Sequence, residues 1–247
     1  MKGIDDFLVA VQFLTRLPVP RVRFDPDSLS TAAKFFPLVG LMIGLGASGL
    51  QRIAAPHLSR PLVALLVLTF LVLITGALHE DGLADAADGF GGGWNREQVL
   101  TILRDSRIGS FGALALIFSV LARFLLLSEL PAGRLTAFIV SAHVLCRWTA
   151  LPLSYFLPPA RESDGQGARI AQKISFVTLL LGTLLSFAIV FCFMRTGFWI
   201  PALVSIVITV LTGLYYARRI GGITGDCFGA TNQLTEIAVY FCGVWSL

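Results

Sequence analysis

Four carboxylates stand within nine residues in the stretch His79-Glu80-Asp81-Gly82-Leu83-Ala84-Asp85-Ala86-Ala87-Asp88-Gly89. Asp81, Asp85 and Asp88 are spaced i, i+4, i+7, which at about 100° per helical residue places them within roughly 60° on one face. Like charges one turn apart repel, and aspartate is a poor residue for a helix interior. The stripe also sits at the mouth of the uncharged run Pro61–Leu78. Such a pattern calls for a cation, and oxygen donors suit a hard divalent ion such as Mg²⁺. The chemistry implied is a metal site at a membrane surface, with Glu80 a further candidate and His79 close enough to assist.

Two other clusters could act with it. Arg104-Asp105-Ser106-Arg107-Ile108-Gly109 sets two arginines around a carboxylate just before an apolar run, and a guanidinium fork matches phosphate oxygens; a salt-bridged basic loop is the plainer reading. Gly221-Gly222-Ile223-Thr224-Gly225-Asp226-Cys227-Phe228-Gly229-Ala230 is followed by Asn232, Gln233 and Glu236. The glycines suggest a helix opening whose free amides bind anions, although an aspartate there can simply be a cap. Asp226 and Gln233 share one helical face, Asn232 and Glu236 another. Arg147 lies inside an apolar span, where it needs an acid or a substrate phosphate as partner; Arg123 raises the same question, and its depth favours a structural pairing. The polar, glycine-bearing stretch Arg161–Arg169 either contacts a large ligand or is a solvated linker. No GxxxxGK[ST], GxSxG or HExxH is present. Acids, arginines and glycines without an activated nucleophile suit metal-assisted phosphoryl transfer.

The elements that must position these groups are membrane helices. The chain is 55% hydrophobic and 14% charged, with a mean hydropathy of +0.79. Apolar runs of spanning length are expected at about 35–53, 61–78, 111–130, 135–157, 174–194 and 198–216, with a short one near 234–244. This predicts an all-α, polytopic bundle of about seven transmembrane helices (range six to eight). Residues 4–17 mix Asp5, Asp6, Gln12 and Arg16 with apolar residues, as an interfacial helix does. No signal peptide is evident, and without repeats or linkers residues 1–247 form a single membrane-embedded domain.

With a cytoplasmic N-terminus, thirteen basic residues fall inside (Lys2, Arg16, Arg21, Arg23, Lys34, Arg96, Arg104, Arg107, Arg161, Arg169, Lys173, Arg218, Arg219) and four outside (Arg52, Arg60, Arg134, Arg195). Topology and anionic lipid thus account for the net charge of +4 and pI near 9.1, and nucleic acid is not expected as a partner. Cys146, Cys192, Cys227 and Cys242 form no CxxC pair and read as packing residues.

Three blocks, Asp81–Gly89, Arg104–Gly109 and Thr224–Ala230, resemble in order the signature segments of the cobalamin-5′-phosphate synthase (adenosylcobinamide-GDP ribazoletransferase) family. Phe13-Leu-Thr-Arg16-Leu-Pro18-Val-Pro20 and Phe36-Pro37-Leu-Val-Gly40 are similar as well. The resemblance implies a bacterial inner-membrane enzyme late in cobalamin biosynthesis, with N-terminus and active site cytoplasmic. It would join adenosylcobinamide-GDP to α-ribazole or α-ribazole 5′-phosphate, release GMP and use Mg²⁺. On this reading Asp81, Asp85 and Asp88 hold the metal. Asp88, Asp105 and Asp226 are the catalytic candidates, for completing the metal shell or acting as base, and Arg104, Arg107 and Arg147 meet phosphate. Gln233 stands where the family pattern carries Glu, which leaves Glu236 as the carboxylate of that segment. A phospholipid-making CDP-alcohol phosphotransferase is a second reading, but its motif would place Ala-Arg where this chain has Ala84-Asp85. A cation transporter is a third, although its acids would lie nearer mid-membrane.

Overall fold

The structure, a computed structural model, describes residues 2–20, 28–161 and 174–245, and the described regular elements are helical. In chain order they are α1 (Lys2–Leu14), α2 (Ser28–Ala32), α3 (Phe36–Ala54), α4 (Arg60–Thr75), α5 (Leu78–Gly92), α6 (Arg96–Ile102), α7 (Ser110–Glu129), α8 (Leu135–Trp148), α9 (Ala150–Phe156), α10 (Phe176–Met194), α11 (Trp199–Ile220) and α12 (Gly225–Trp245). Of the basic residues used for orientation, Arg21, Arg23, Arg169 and Lys173 lie outside the described residues, as does most of the Arg161–Arg169 stretch.

Five helical segments are long and apolar enough to cross a membrane, and six if α4 and α5 count as one bent span. Six falls within the expected range of six to eight. α4 reaches spanning length only together with α5, from which it departs by 85°. α12 has the length, but its first half carries Asp226, Asn232, Gln233 and Glu236, which lowers its hydropathy.

The bend has a local cause. Gly76 and Ala77 are both left-handed, at φ 64° and 58°. Glycine adopts this freely, whereas alanine is strained there. Arg16 braces the turn, its amide donating to the carbonyl of Ile74 at 2.7 Å and its side chain lying against Gly76. The acidic helix therefore turns off α4 and packs against α12 and α7.

α8 is the buried axis of the bundle, and α3 packs tightly along it. At Gly40 a Cβ would collide with the backbone carbonyl of His143, and at Gly44 it would come within 2.8 Å of Val140 Cα. Small residues one turn apart let membrane helices approach this closely. α7 instead turns Phe111, Leu114, Phe118, Leu121 and Leu125 outward, a helical stripe facing lipid. The segment expected as a helix over 4–17 is helical as α1, whose Val9, Ala10, Val11 and Leu14 are buried against the bundle.

At the end carrying α5, the loops are tied together. Arg96 donates to the carbonyls of Ile220 (2.8 Å) and Ala160 (2.6 Å), and Arg219 to that of Gly93 (2.7 Å). The Ala160 amide donates to the carbonyl of Ile223 and the Ile223 amide to that of Pro158, both at 2.9 Å, across the loops following α9 and α11. At the other end Arg60 donates to the carbonyl of Leu130 (2.6 Å).

Candidate active site

α5 and α12 cross with almost no space between them. A Cβ on Gly82 would lie 3.1 Å from Gly229 Cα and from the carbonyl oxygen of Asp226, and one on Gly229 would lie 2.9 Å from Gly82 Cα. The first and third sequence blocks therefore meet backbone to backbone. This contact carries Asp81 and Asp226 to a common cleft of about 170 Å³, whose polar wall also includes His79, Arg147 and Asn232.

Asp81 is exposed in the cleft, and neither Asp81 nor Asp85 is engaged by a side-chain hydrogen bond or ion pair among the described residues. Burial pushes the Asp85 carboxyl up to about 6, and the neighbouring charges of Asp226, Asp81 and Asp88 add to the shift. Burial also raises Asp226, against the pull of Arg161 and the Thr224 hydroxyl, which lie 3.4 Å and 3.2 Å from its Oδ2. Asp81 and Asp85, acids without protein donors, form with nearby Asp226 an oxygen set fit for a hard cation. Among the described residues no three acidic, His or Cys side chains are already gathered at ion-holding distance, so holding an ion would require carboxylate rotations.

Asp88 departs from the expected role. Its Oδ2 accepts from the amide of Gly109 at 2.7 Å and its Oδ1 from that of Gly112 at 2.9 Å. Both oxygens thus cap the N-terminus of α7, where free amides and the helix dipole favour an anion. A Cβ at Gly109 or Gly112 would strike this carboxylate, which gives a reason for both glycines.

The central block lies apart from the cleft. Asp105 and Arg107 form a solvent-facing pair at 2.6 Å, which holds the Asp105 carboxyl down at about 2. They line a separate shallow hollow with Asp88. Arg104 is exposed. The structure thus does not bring Arg104, Arg107 and Asp105 to the Asp81–Asp226 cleft, since the loop directs them to solvent.

Arg147 has the setting expected of a ligand-reading group. It is buried on α8, and its Nη1 donates to His143 Nδ1 (3.0 Å) and to the His143 carbonyl (3.2 Å). It makes no ion pair among the described residues, Nε is buried without a partner, and Nη2 has none. Because His143 Nδ1 accepts, its ring proton sits on Nε2, which faces Tyr240 Oη at 3.2 Å. Asn232 also lines the cleft, with no hydrogen-bond partner for its side chain among the described residues.

Arg123 is paired internally, as its depth suggests. It meets Glu80 at 2.9 Å and Glu236 at 3.7 Å, while Gln233 accepts from Ser119 (2.9 Å) and donates to Glu80 (3.4 Å). Glu80, Gln233 and Glu236 therefore belong to a buried network joining α5, α7 and α12 and do not line the cleft. Sequence reasoning did not single out Arg161 as the partner of Asp226, nor Phe13, Leu14, Phe36 and Leu78 as cleft walls. The similarity of 13–20 and 36–40 to family segments was the available signal for these walls.

Fold and site together define a multi-span, all-helical membrane protein with an acid- and arginine-lined cleft at one end. A family model described as cobalamin-5-phosphate synthase matches residues 6–244, and the chain belongs to that family. Among similar proteins, the adenosylcobinamide-GDP ribazoletransferase of Shewanella baltica (strain OS185) is 38% identical over 97% of this chain and 94% of its own length. That of Shewanella frigidimarina (strain NCIMB 400) is 37% identical over 97% and 94%. That of Vibrio cholerae serotype O1 is 37% identical over 95% and 91%. No solved structure matches the chain.

Proposed function

We propose that the chain joins adenosylcobinamide-GDP to α-ribazole or its 5′-phosphate, releasing GMP, at the cytoplasmic face of the bacterial inner membrane. The observation that carries this reading is the meeting of Asp81 and Asp226, from opposite ends of the chain, in one cleft beside the incompletely paired Arg147. In the reaction a ribazole hydroxyl attacks the cobinamide-side phosphorus. A phosphorus–oxygen bond forms to that hydroxyl as the bridging bond to GMP breaks, and the hydroxyl proton passes to a carboxylate. Asp226, whose burial raises its proton affinity, suits that transfer. Arg147 presents a planar fork to the phosphate oxygens and offsets their charge. Asp81 and Asp85 would hold Mg²⁺; the ion would polarise the phosphates and stabilise the departing GMP oxygen. The basic residues of the interior loops favour the cytoplasmic placement.

The test is GMP release by the purified protein in lipid, given adenosylcobinamide-GDP and either form of ribazole, with Mg²⁺ present or chelated. GMP should appear only with both substrates, and should stop on chelation. Absence of product with both substrates and Mg²⁺ would refute the reading.

A further inference from the structure

The cleft is of two kinds, and the function proposed above uses only its polar wall. Phe13 and Leu14 from α1, Phe36 from α3, Leu78 and Phe228 supply its large apolar side chains. Phe13 and Phe36 lie nearly parallel, with centroids 5.9 Å apart and planes 15° apart. Phe36 is buried and Phe13 only half-buried, so Phe13 is the ring a ligand can reach. The cavity, about 170 Å³, leaves room for one small group. A corrin macrocycle with its side chains is too large to share it with a nucleoside. Each substrate nevertheless brings a flat base, guanine on one and dimethylbenzimidazole on the other. Guanine carries donors and acceptors along its edge, which these phenylalanine and leucine side chains cannot satisfy, and leaving them unpaired is costly. Dimethylbenzimidazole has two methyls and one free ring nitrogen, so an apolar aromatic wall fits it with little polar loss.

We propose that Phe13, backed by Phe36, is the wall that binds the benzimidazole base of ribazole and selects an apolar lower base, while the corrin ring stays outside the cleft. This assignment rests on the reaction proposed above. With the base against Phe13, its ribose lies toward the polar wall, where Asp81 and Asp226 receive the attacking hydroxyl. The segment containing Phe13 thereby has a role in the site although it carries no reactive group.

The test is the Michaelis constant of each substrate, measured with the full chain in lipid for wild type, Phe13→Ala, Phe13→Leu and Phe13→Tyr. Wild-type turnover separately tests the proposed reaction. Loss of the ring in Phe13→Ala and Phe13→Leu should raise the constant for ribazole about tenfold, the scale of a lost base–aromatic stack. The constant for adenosylcobinamide-GDP should move less than about twofold, and Phe13→Tyr should stay near wild type on both. Phe13→Leu keeps the wall apolar and filled, so it reads the ring itself should the alanine variant insert poorly. If the ring-less variants leave the ribazole constant unchanged, or raise that of adenosylcobinamide-GDP instead, the assignment is wrong.

Discussion

At the scale of single residues, three aspartates on one helical face have separate tasks. Asp88 joins α5 to the start of α7, whereas Asp81 and Asp85 have no protein donor. Asp85→Asn should therefore abolish turnover while leaving the melting temperature unchanged or raised, since it removes repulsion. Asp88→Asn should lower stability by about 1–3 kcal/mol, because one amide of the α7 N-terminus loses its acceptor; equal melting temperatures for the two variants would contradict this division. A pH dependence follows from Asp85. Its folded pKa, about 6, lies above its ordinary value of 3.8. Its contribution to folding is thus fully present below pH 3.8 and is lost as pH rises through about 6. In chelator, wild-type melting temperature should fall across that window relative to Asp85→Asn, and Mg²⁺ should reduce the fall. Parallel profiles for the two proteins would show that Asp85 carries no such shift. The acidic stripe was legible because charge at helical spacing is a local pattern. The task of Asp88 was not, because its partners, the amides of Gly109 and Gly112, come from another helix. Arg147 stood out as a charge in an apolar run, but the pairing of Glu80 and Glu236 with Arg123 joins three helices and leaves no local mark.

At the scale of elements, the site exists because α5 and α12 touch at Gly82 and Gly229. Hydropathy located the spans through α3, α7, α8, α10 and α11, since each is a continuous apolar run. It overcounted at α12, where polar residues interrupt the run, and at α4, which is too short alone. The 85° turn between α4 and α5 depends on Gly76 and Ala77. Glycine gives a local hint of such a turn, but alanine gives none. Gly82→Ala tests the crossing. The added methyl meets backbone of α12, which cannot rotate aside as a side chain would, so the helices must separate. Overpacking of this kind costs about 1–3 kcal/mol, which a bundle this size can absorb. The carboxylates would shift by a few tenths of an ångström, and turnover should fall, by less than the roughly hundredfold that a full ångström of misplacement costs. Gly46→Ala is the control: it lies on α3 away from the crossing, where a methyl would meet only the ring of Phe70, and turnover should be retained. If Gly82→Ala turns over like Gly46→Ala, close approach of α5 and α12 is not what assembles the site.

At the scale of the molecule, the described residues sort the loops into two ends. Arg96, Arg161 and Arg219 hold one end together, with α5 and the cleft, while Arg60 braces the other against the carbonyl of Leu130. The first end holds most of the basic residues, which by the positive-inside rule predicts a cytoplasmic placement for it. The proposed reaction agrees with that placement, because its nucleotide-activated substrate is a cytoplasmic species. The prediction needs one site on each end. Ser106 lies on the exposed loop between α6 and α7, and Ser59 on the exposed loop before α4. In a background with Cys146, Cys192, Cys227 and Cys242 replaced by serine or alanine and shown to turn over, Ser59→Cys should react with a membrane-impermeant maleimide in intact spheroplasts. Ser106→Cys should react only after lysis. Reaction at Ser106→Cys and protection at Ser59→Cys would invert the orientation. The cleft would then face the periplasm, out of reach of a cytoplasmic nucleotide, and the proposed reaction would have to be abandoned along with the topology.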